Sequence, residues 1–396
     1  MTLRSIRELK LGGRRVLIRV DFNVPLSDGR VGDGTRIRQA LETIRFATRA
    51  GARVVLASHL GRPRGVADKT LSLAPVAEEL GRLLGKEVAF ADDCIGPAAE
   101  KAVAALADGQ VLLLENLRFH TGEEANDPDF ARALAGLADV YINDAFGTAH
   151  RAHASTAGIV GHTQEAAAGL LMEKEIRVLS ALLERPAEPF VAIVGGAKVS
   201  DKIALLENLL SRASSVLVGG AMAYTLLKAR GYEVGDSRVE EDRLAMGARL
   251  MEEAEHRQVR LELPQDHIAA SEFVETAEAV SIDGTDIPAG LMGLDIGPAT
   301  RKIYAGIIKE AGSVLWNGPM GVFEWQRFSH GTMAVAAAIA DSQAVSIVGG
   351  GDSMAALAAS GRSGDVTHVS SGGGASLEFL AGQSLPGIAA LEDKTL

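Results

Sequence analysis

A chain of 396 residues, of which 47% are hydrophobic and 23% charged, can bury large cores and is better divided between two domains than packed into one. A formal net charge of -11 opposes binding to nucleic acid or to an anionic membrane, and no apolar stretch approaches the roughly 20 residues of a membrane helix. The single cysteine, Cys94, excludes an internal disulfide. With a charged N-terminus unlike a signal peptide and no clear dimerisation stripe, we expect a cytoplasmic monomer.

Short apolar runs alternate with helical segments along the chain. The first helical segment, residues 35–50, places Ile37, Leu41, Ile44 and Ala47 or Thr48 on one face, a spacing typical of a crossover helix. Each apolar run is followed by Gly, Asp, Asn, Ser or His, as expected for buried parallel strands whose carboxyl ends carry polar groups to a crevice. The pattern predicts repeated β-α units with strands at residues 15–20, 53–57, 110–114, 140–143, 190–194, 215–218, 313–316 and 345–348.

Residues 169–185 show one helical pattern that is not interrupted by a predicted strand. The segment ends where Pro186 and Pro189 forbid continuation of a helix. We predict a connector between two domains, stiff enough to convert a small bend into closure, while a simple internal helix fits the sequence equally well.

Cationic side chains recur at strand ends and helix starts in the first half of the chain. Asp21 and Asn23 leave a predicted strand together with Arg19, and further cations follow at Arg36, His59, Arg62, Arg118 and Arg151. If the sheet is parallel, these groups converge on one edge and form a positive basin on an otherwise acidic protein. Guanidinium groups suit a small, multiply charged acid.

Glycine turns replace the arginines in the second half of the chain. VGGGDS (348–353) follows a predicted strand and precedes a helix, so Gly350, Gly351 and Asp352 should lie at a helix N-terminus, where N–H groups bind phosphate and a carboxylate can hold Mg²⁺. An ordinary turn with Asp352 or Ser353 as the N-cap is the alternative. No Walker A sequence occurs, and Met354 replaces the last glycine of GxGxxG.

Two other second-half segments carry weaker signals. Lys198 and Lys202 lie four residues apart, so both ammonium groups share a face toward phosphate if a helix starts near Lys198; a solvated helix start is the alternative. WNGPMGVFE (316–324) contains a rigid Gly-Pro turn that could line a ribose or adenine pocket.

Three other chemistries are disfavoured by the sequence. His150 and His153 lack the carboxylate-plus-histidine pattern of a zinc protease. Ser58 and His59 lack the G-x-S-x-G turn of a nucleophile elbow. The acidic neighbours of Cys94 would raise the pKa of its thiol, so we interpret it as structural.

The chain resembles the phosphoglycerate kinase family over nearly its whole length. The matching motifs, in the family's order, are RVDFNVP, SHLGRP, ENLRFH, NDAFGTAHRAHAST, GGAKVSDK, DIGP, WNGPMGVFE, VGGGDS and SGGGASLEFLAG. The family usually reads STGGGA where this chain has Ser371, a difference that keeps a hydroxyl.

The resemblance implies an α/β fold of two doubly wound, parallel-sheet, Rossmann-like domains joined by a hinge helix. Residues 1–168 would bind 3-phosphoglycerate, 169–185 would form the hinge, and 186–376 would bind the nucleotide. The tail, 377–396, would pack back on the first domain. The implied reaction is glycolytic phosphoryl transfer between 1,3-bisphosphoglycerate and ADP, giving 3-phosphoglycerate and ATP with Mg²⁺.

The family motifs also imply roles for individual residues. The expected phosphoglycerate ligands are Asp21, Phe22, Asn23, Arg36, His59, Leu60, Gly61, Arg62, Arg118 and Arg151. Lys198 should lie near the moving phosphoryl group, Lys202 on the nucleotide phosphates, and Asp352 at the metal, flanked by Gly350, Gly351 and Ser353. The implied nucleoside pocket comprises Gly219, Gly220, Gly293, Asn317, Pro319 and, at the ribose, Glu324.

The chemistry of the implied reaction fits these residue types. A carboxylate acceptor is already ionised at neutral pH, so a general base is not needed and catalysis rests on alignment and charge neutralisation. We expect the moving phosphoryl group to be surrounded by Arg36, Lys198 and the amides of Gly350, Gly351, Gly373 and Gly374. Two other hypotheses are a dinucleotide-dependent oxidoreductase, disfavoured by the missing fingerprint, and a noncatalytic phosphometabolite-binding protein.

Overall fold

The computed structural model describes residues 3–395. They divide into two compact units: the first comprises the chain up to Arg177 together with the segment from Ser384 onward, and the second comprises Val178–Gln383. Within residues 3–395, no helix combines the length and the apolar character required to cross a bilayer.

The first unit contains eight strands and six helices before the chain passes into the second unit. The strands are β1 Arg15–Arg19, β2 Leu26–Ser27, β3 Arg30–Val31, β4 Arg53–Ala57, β5 Ala89–Ala91, β6 Val111–Leu114, β7 Val140–Asn143 and β8 Glu165–Ala168. The helices are α1 Thr35–Arg49, α2 Ala74–Leu84, α3 Gly96–Ala104, α4 Thr121–Glu124, α5 Pro128–Ala135 and α6 Leu170–Glu184.

Six of these strands form one parallel sheet in the order β5-β6-β4-β1-β7-β8, and β2 and β3 form a separate hairpin. In the register of β1 with its neighbours, Arg19 stands beside Ala57 of β4 and Asn143 of β7. The carboxyl ends of the central strands therefore align, and the residues that follow them meet at one edge. Helix α1 covers the sheet with Ile37, Leu41, Ile44 and Ala47, the face that the spacing predicts.

The second unit contains nine strands and seven helices. The strands are β9 Phe190–Val194, β10 Ser215–Val218, β11 Arg260–Glu262, β12 His267–Ala270, β13 Val280–Ile282, β14 Met292–Ile296, β15 Ser313–Asn317, β16 Val345–Gly349 and β17 His368–Val369. The helices are α7 Ile203–Leu210, α8 Met222–Ala229, α9 Leu244–His256, α10 Pro298–Lys309, α11 His330–Asp341, α12 Gly351–Ala359 and α13 Gly374–Leu380. The last helix of the chain, α14 Pro386–Thr395, belongs to the first unit.

A second six-stranded parallel sheet has the order β11-β10-β9-β15-β16-β17. Its register places Asn317 beside Val194 and Gly349, and Val194 beside Val218, so the glycine turns after four strands begin at the same edge. An antiparallel sheet in the order β13-β12-β14 stands apart from it and was not predicted.

The predicted α/β fold class, with two doubly wound parallel sheets, is confirmed. All eight predicted strands are present, and four match residue for residue. The prediction missed the edge strands of both sheets, β5, β8, β11 and β17, because each has only two to four residues and lacks a long apolar run.

The division between the units falls inside α6, after Arg177, whereas the sequence assigned residues 169–185 to neither domain. The returning tail joins the first unit from Ser384 rather than from residue 377. Residues 374–380 lie with the second unit because α13 packs against α7, where Asn208 Nδ2 donates to Leu380 O at 2.5 Å.

The N-terminus of α6 is held by a buried carboxyl group. Asp144 follows β7, is 0% exposed, and accepts hydrogen bonds from the N–H groups of Leu171 at 2.9 Å and Met172 at 3.2 Å. Gly169 leaves the necessary space, since a Cβ there would lie 2.2 Å from Asp144 Oδ1. Burial raises the pKa of Asp144 to about 7, although the helix amides oppose the shift.

We predict that Asp144→Asn gains stability relative to the unsubstituted chain as the pH rises. The native pKa of Asp144, about 7, lies above the ordinary value of 3.8. Between these pH values the carboxyl group is protonated in the native state and ionised in the unfolded state. The unsubstituted protein therefore loses stability as the pH rises through this range, and the asparagine variant does not. The relative gain should be about 1–4 kcal/mol between about pH 4 and pH 8. Urea unfolding measures it, with the exposed Asp92→Asn as control. A pH-independent difference contradicts the prediction.

Candidate active site

A cluster of charged groups lies at the carboxyl edge of the first sheet. Arg36 Nη1 pairs with Asp21 Oδ2 at 2.8 Å, and Asp21 Oδ1 lies 4.0 Å from His59 Nδ1. The same His59 nitrogen lies 3.2 Å from Arg19 Nη2. The parallel register thus brings together residues that follow β1 and β4 and a residue from the first turn of α1.

The loop after β4 adds a second set of contacts. Arg118, in the 3-10 turn Leu117–Phe119, donates from Nη1 to Gly61 O at 2.7 Å, and Gly61 N donates to Asn23 Oδ1 at 3.0 Å. Arg118 is only 5% exposed, and its Nε pairs with Glu124 Oε1 at 3.1 Å. Arg118, Gly61 and Asn23 are therefore fixed relative to one another.

Two predicted ligands, Phe22 and Leu60, lie in the hydrophobic core. Their N–H groups donate to Ser58 Oγ at 2.8 Å and to Asn116 Oδ1 at 3.2 Å, which suits positioning of the adjacent polar residues. Arg62 is exposed on the same loop. Arg151 is half-buried, and its Nε donates to His150 Nε2 at 3.2 Å.

The charges of four arginines act on the two imidazoles near this cluster. Burial, followed by the charges of Arg19, Arg118 and Arg36, holds the pKa of His59 well below its usual value. Burial and then Arg118, Arg19 and Arg151 lower the pKa of His153 to about 4. Both imidazoles are therefore neutral near pH 7, and the fields of four arginines overlap in one region. The structure thus brings Arg36, Arg118 and Arg151 to one region, with Arg36 and Arg118 each paired to a carboxylate.

Sequence reasoning missed a buried network beneath the cluster. Arg19 is 1% exposed and donates from Nε to Ser155 Oγ at 2.8 Å. Ser155 in turn donates from Oγ to Glu123 Oε1 at 2.6 Å and from N to Glu123 Oε2 at 2.9 Å. Arg19 lies in the RVDFNVP motif, but no local pattern marks Glu123 as a buried carboxylate.

The second unit contains a pocket of about 430 Å³ at the carboxyl edge of its sheet. Of the residues that the sequence assigns to the nucleotide, those lining the pocket are Gly220, Gly293, Pro319, Glu324 and Asp352. Lining residues that the sequence did not indicate include Tyr224, Asp236, Arg238, Phe273 and Met292. Gly219 lies behind the wall, where a Cβ would come within 2.5 Å of Met320 Sδ.

Two glycines permit close packing around this pocket. A Cβ on Gly293 would lie 2.2 Å from the ring of Tyr224, so the tyrosine reaches the wall only because residue 293 has no side chain. A Cβ on Gly195 would lie 2.0 Å from Pro319 O, which shows how closely the turns after β9 and β15 approach. These glycines shape the wall as well as exposing main-chain amides.

One end of the pocket meets the N-terminus of α12. Gly350 precedes the helix and Gly351 begins it, so free N–H groups of the first turn point toward this end. Ser353, which is 0% exposed, accepts a hydrogen bond from Gly318 N at 2.6 Å. The hydroxyl of Ser353 therefore joins two turns. Gly373 and Gly374 form a similar helix start at α13.

Asn317, which the family motifs assign to the nucleoside pocket, places a buried side-chain donor beside this turn. It is 0% exposed, and within residues 3–395 its Nδ2 has no hydrogen-bond partner. That atom would lie 3.0 Å from a Cβ placed on Gly350. A buried donor without an acceptor is costly, so its position suits an acceptor supplied by a ligand.

The helix does not start near Lys198, so the condition under which the two lysines would share a face is not met. Lys198 is exposed in a turn, Ser200–Lys202 form a 3-10 turn, and α7 begins only at Ile203. The glycine turn delays the start of the helix. Lys202 Nζ donates to Asn317 Oδ1, and burial lowers the pKa of this lysine to about 8 while the charge of Asp352 opposes the shift.

Asp352 is a residue that could hold a metal ion. Its carboxylate is exposed in the first turn of α12 and lines the pocket. Mg²⁺ is usually held by one or two carboxylates together with phosphate oxygens and water, which this open carboxylate beside an amide-rich helix start would permit.

Fold and site together define an α/β protein in which one parallel sheet carries an arginine cluster and the other carries a glycine-walled pocket at a helix N-terminus. Both features are suited to phosphorylated small molecules.

Comparisons with known proteins identify the family. A family model described as phosphoglycerate kinase matches residues 6–383. The chain is 58% identical over 396 residues to phosphoglycerate kinase of Anaeromyxobacter sp. (strain K), covering 99% of this chain and 100% of that protein. It is 55% identical over 390 residues to the enzyme of Moorella thermoacetica, covering 98% and 99%.

Solved structures agree with these relatives. Phosphoglycerate kinase from Coxiella burnetii is similar with a TM-score of 0.91 and 43% identity, and the match covers 100% of both chains. The kinase from Pyrococcus horikoshii OT3 gives a TM-score of 0.82 and 33% identity, covering 100% of this chain and 99% of that one. The chain belongs to the phosphoglycerate kinase family. The resemblance drawn from its motifs is confirmed, and family membership argues against the oxidoreductase hypothesis.

We predict that Gly293→Ala destabilises the protein by about 1–3 kcal/mol, because the added methyl group displaces the Tyr224 ring. Gly306→Ala is the matched control: residue 306 lies in α10, and a Cβ there meets nothing within 4 Å. That variant should be unchanged or more stable by up to about 1 kcal/mol. Urea unfolding of both variants tests the close contact, and equal stabilities would contradict it.

Proposed function

We propose that this chain catalyses the reversible, Mg²⁺-dependent transfer of a phosphoryl group from 1,3-bisphosphoglycerate to ADP, giving 3-phosphoglycerate and ATP in glycolysis. It would act as a cytoplasmic monomer on these small molecules, without nucleic-acid or membrane partners. Family membership supports the kinase activity. The observation that carries the nucleotide assignment is the unpartnered Nδ2 of Asn317 beside the helix start at Gly350 and Gly351.

The phosphoglycerate would bind at the arginine cluster of the first unit. Asp21 orients the guanidinium of Arg36, and the carbonyl of Gly61 orients that of Arg118. Fixed guanidinium groups bind carboxylate and phosphate oxygens in paired hydrogen bonds, and little side-chain entropy is lost when the ligand arrives. His59, Asn23, Arg62 and Arg151 complete this proposed set.

The nucleotide would bind in the glycine-walled pocket of the second unit. Its base and ribose would lie among Gly220, Gly293, Pro319 and Glu324, with the phosphates toward the first turn of α12. The ammonium group of Lys202 donates to Asn317 Oδ1 in this structure. With the nucleotide bound, it would donate to a phosphate oxygen instead of Asn317 or in addition to it. When bound, Mg²⁺ at Asp352 would neutralise charge on the nucleotide phosphates.

Transfer between a carboxylate and a diphosphate requires no proton abstraction from the acceptor. The residues would therefore align the reactants in line and neutralise charge on the equatorial oxygens. We assign this role to Arg36, Lys198 and the amides of the two glycine turns, Gly350–Gly351 and Gly373–Gly374. Preorganised donors of this kind stabilise a transition state without reorganising during the reaction.

Because the proposed ligand sites belong to different units, the two bound ligands must be brought together and shielded from water before transfer. We assign this closure to bending at α6, the helix in which the division between the units falls.

A coupled assay of ATP formation from 1,3-bisphosphoglycerate and ADP tests the function, and Lys198→Ala tests its mechanism. We expect turnover in the variant to fall about 10²- to 10³-fold, because a contact made mainly in the transition state is lost. Nucleotide affinity should change far less.

Lys228→Ala is the control, since Lys228 is an exposed lysine of the same unit, 2.5 Å from Glu241 Oε1. It should retain full turnover. Near-normal turnover of Lys198→Ala would remove Lys198 from the catalytic set, whereas no ATP formation by the unsubstituted chain would favour the noncatalytic binding protein.

We predict compaction only when both ligands are present. Small-angle scattering of the free protein, each single complex and the complex with 3-phosphoglycerate and an unreactive ATP analogue should show a smaller radius of gyration only in the last. Arg118→Ala, which removes a proposed acid contact, should abolish the change at the same ligand concentrations. Identical dimensions in all four states would count against closure.

A further inference from the structure

Three side chains of different chemistry converge in the first unit outside the arginine cluster. Asp93 and Cys94 lie in the turn between β5 and α3, and His120 follows the 3-10 turn Leu117–Phe119. One ligand atom from each side chain lies within 4.8 Å of the other two. The proposed kinase reaction uses none of these three groups.

Existing contacts fix two of the three donors. Asp93 Oδ1 lies 2.7 Å from His120 Nε2 and accepts a hydrogen bond from Cys94 N at 2.7 Å. The ring of His120 also packs on Phe130, with centroids 5.5 Å apart. These contacts hold the Asp93 carboxylate beside the His120 imidazole and tie the backbone of Cys94 to the same carboxylate.

The site is closed on one side and accessible on the other. Cys94 is 0% exposed, whereas the side chains of His120 and Asp93 are 32% and 44% exposed. An ion would therefore reach the buried sulfur past the imidazole and the carboxylate. A solvent-accessible side also leaves a position for water as a fourth ligand.

Negative charge surrounds the thiol. The carboxylates of Asp93, Glu123 and Glu115 all act electrostatically on the sulfur of Cys94. Two of these carboxylates are themselves buried: Glu123 is 0% and Glu115 is 9% exposed. Carboxylates grouped around this point favour a dication there.

We propose that Asp93, Cys94 and His120 form a binding site for Zn²⁺. Thiolate, neutral imidazole and carboxylate are its usual ligands, and three protein donors with a water complete a tetrahedron. Binding releases the thiol proton to solvent. The Nε2–Oδ1 hydrogen bond between His120 and Asp93 is replaced by two bonds to the ion, with the neutral imidazole protonated at Nδ1.

This site is chemically distinct from the proposed Mg²⁺ position. Mg²⁺ prefers oxygen ligands in an octahedron and has little affinity for sulfur or imidazole, whereas the open carboxylate of Asp352 contains no soft donor. A filled zinc site would fix His120 and, through the turn Leu117–Phe119, the backbone that carries Arg118.

Titration of the metal-free, full-length protein with Co²⁺ tests the proposal. Cys94 is the only cysteine in the sequence, so a thiolate-to-cobalt charge-transfer band reports on this site alone. We expect the band to develop with one Co²⁺ per chain and to disappear when Zn²⁺ is added. Cys94→Ser should lose the band, and His120→Gln and Asp93→Asn should each weaken Co²⁺ binding at least about tenfold.

His162→Gln, which changes an exposed histidine of the same unit, should leave the titration unchanged. Circular dichroism establishes that each variant is folded. Absence of the band in the folded, unsubstituted protein at millimolar Co²⁺ would overturn the proposal. So would a band that neither His120→Gln nor Asp93→Asn weakens, because the thiol alone would then be the ligand.

Discussion

The buried positive charge of Arg19 organises the first unit. The Arg19 guanidinium donates to Ser155 and to the carbonyl of Val20, contacts His59, and is balanced through Ser155 by the fully buried Glu123. A buried charge that lost its partners would cost several kcal/mol, so the end of β1, the loop containing Ser155 and helix α4 must be in place together. These elements also position His59 and Arg118. The arginine cluster therefore depends on a charge that contributes little accessible surface of its own.

The pocket of the second unit depends on a different constraint. Its main-chain turns approach one another closely. A Cβ on Gly318 would lie 2.1 Å from Gly195 O, and one on Gly220 would lie 2.6 Å from Gly196 N. Turns this close leave amides rather than side chains at the sheet edge. Both units use the carboxyl edge of a parallel sheet, but one presents charge on long side chains and the other presents the weaker, fixed dipoles of peptide groups.

The parts of the molecule with local signals were predictable from sequence. Central strands such as Phe190–Val194 are buried throughout and consist of continuous apolar residues, and polar residues directly after them form the sites. Pairings distant in sequence had no such signal: Glu123 lies in a polar segment, and Tyr224 reaches the pocket only because α8 packs beside Gly293. The sequence considered a helix start near Lys198, but α7 begins at Ile203, after the glycine turn. The spacing of two lysines carries no information about where a helix begins.

The final helix imposes an order on biosynthesis. Helix α14 packs against β8 and the 3-10 turn Gly158–His162 of the first unit, Gly387 N donates to Ala149 O at 2.8 Å, and Ile388 is buried. A ribosome must translate the whole of the second unit before this helix leaves the exit tunnel. At roughly 5–20 residues per second, the nascent first unit waits on the order of ten to forty seconds with the apolar surface beneath α14 uncovered. During that interval, the surface is available to chaperones.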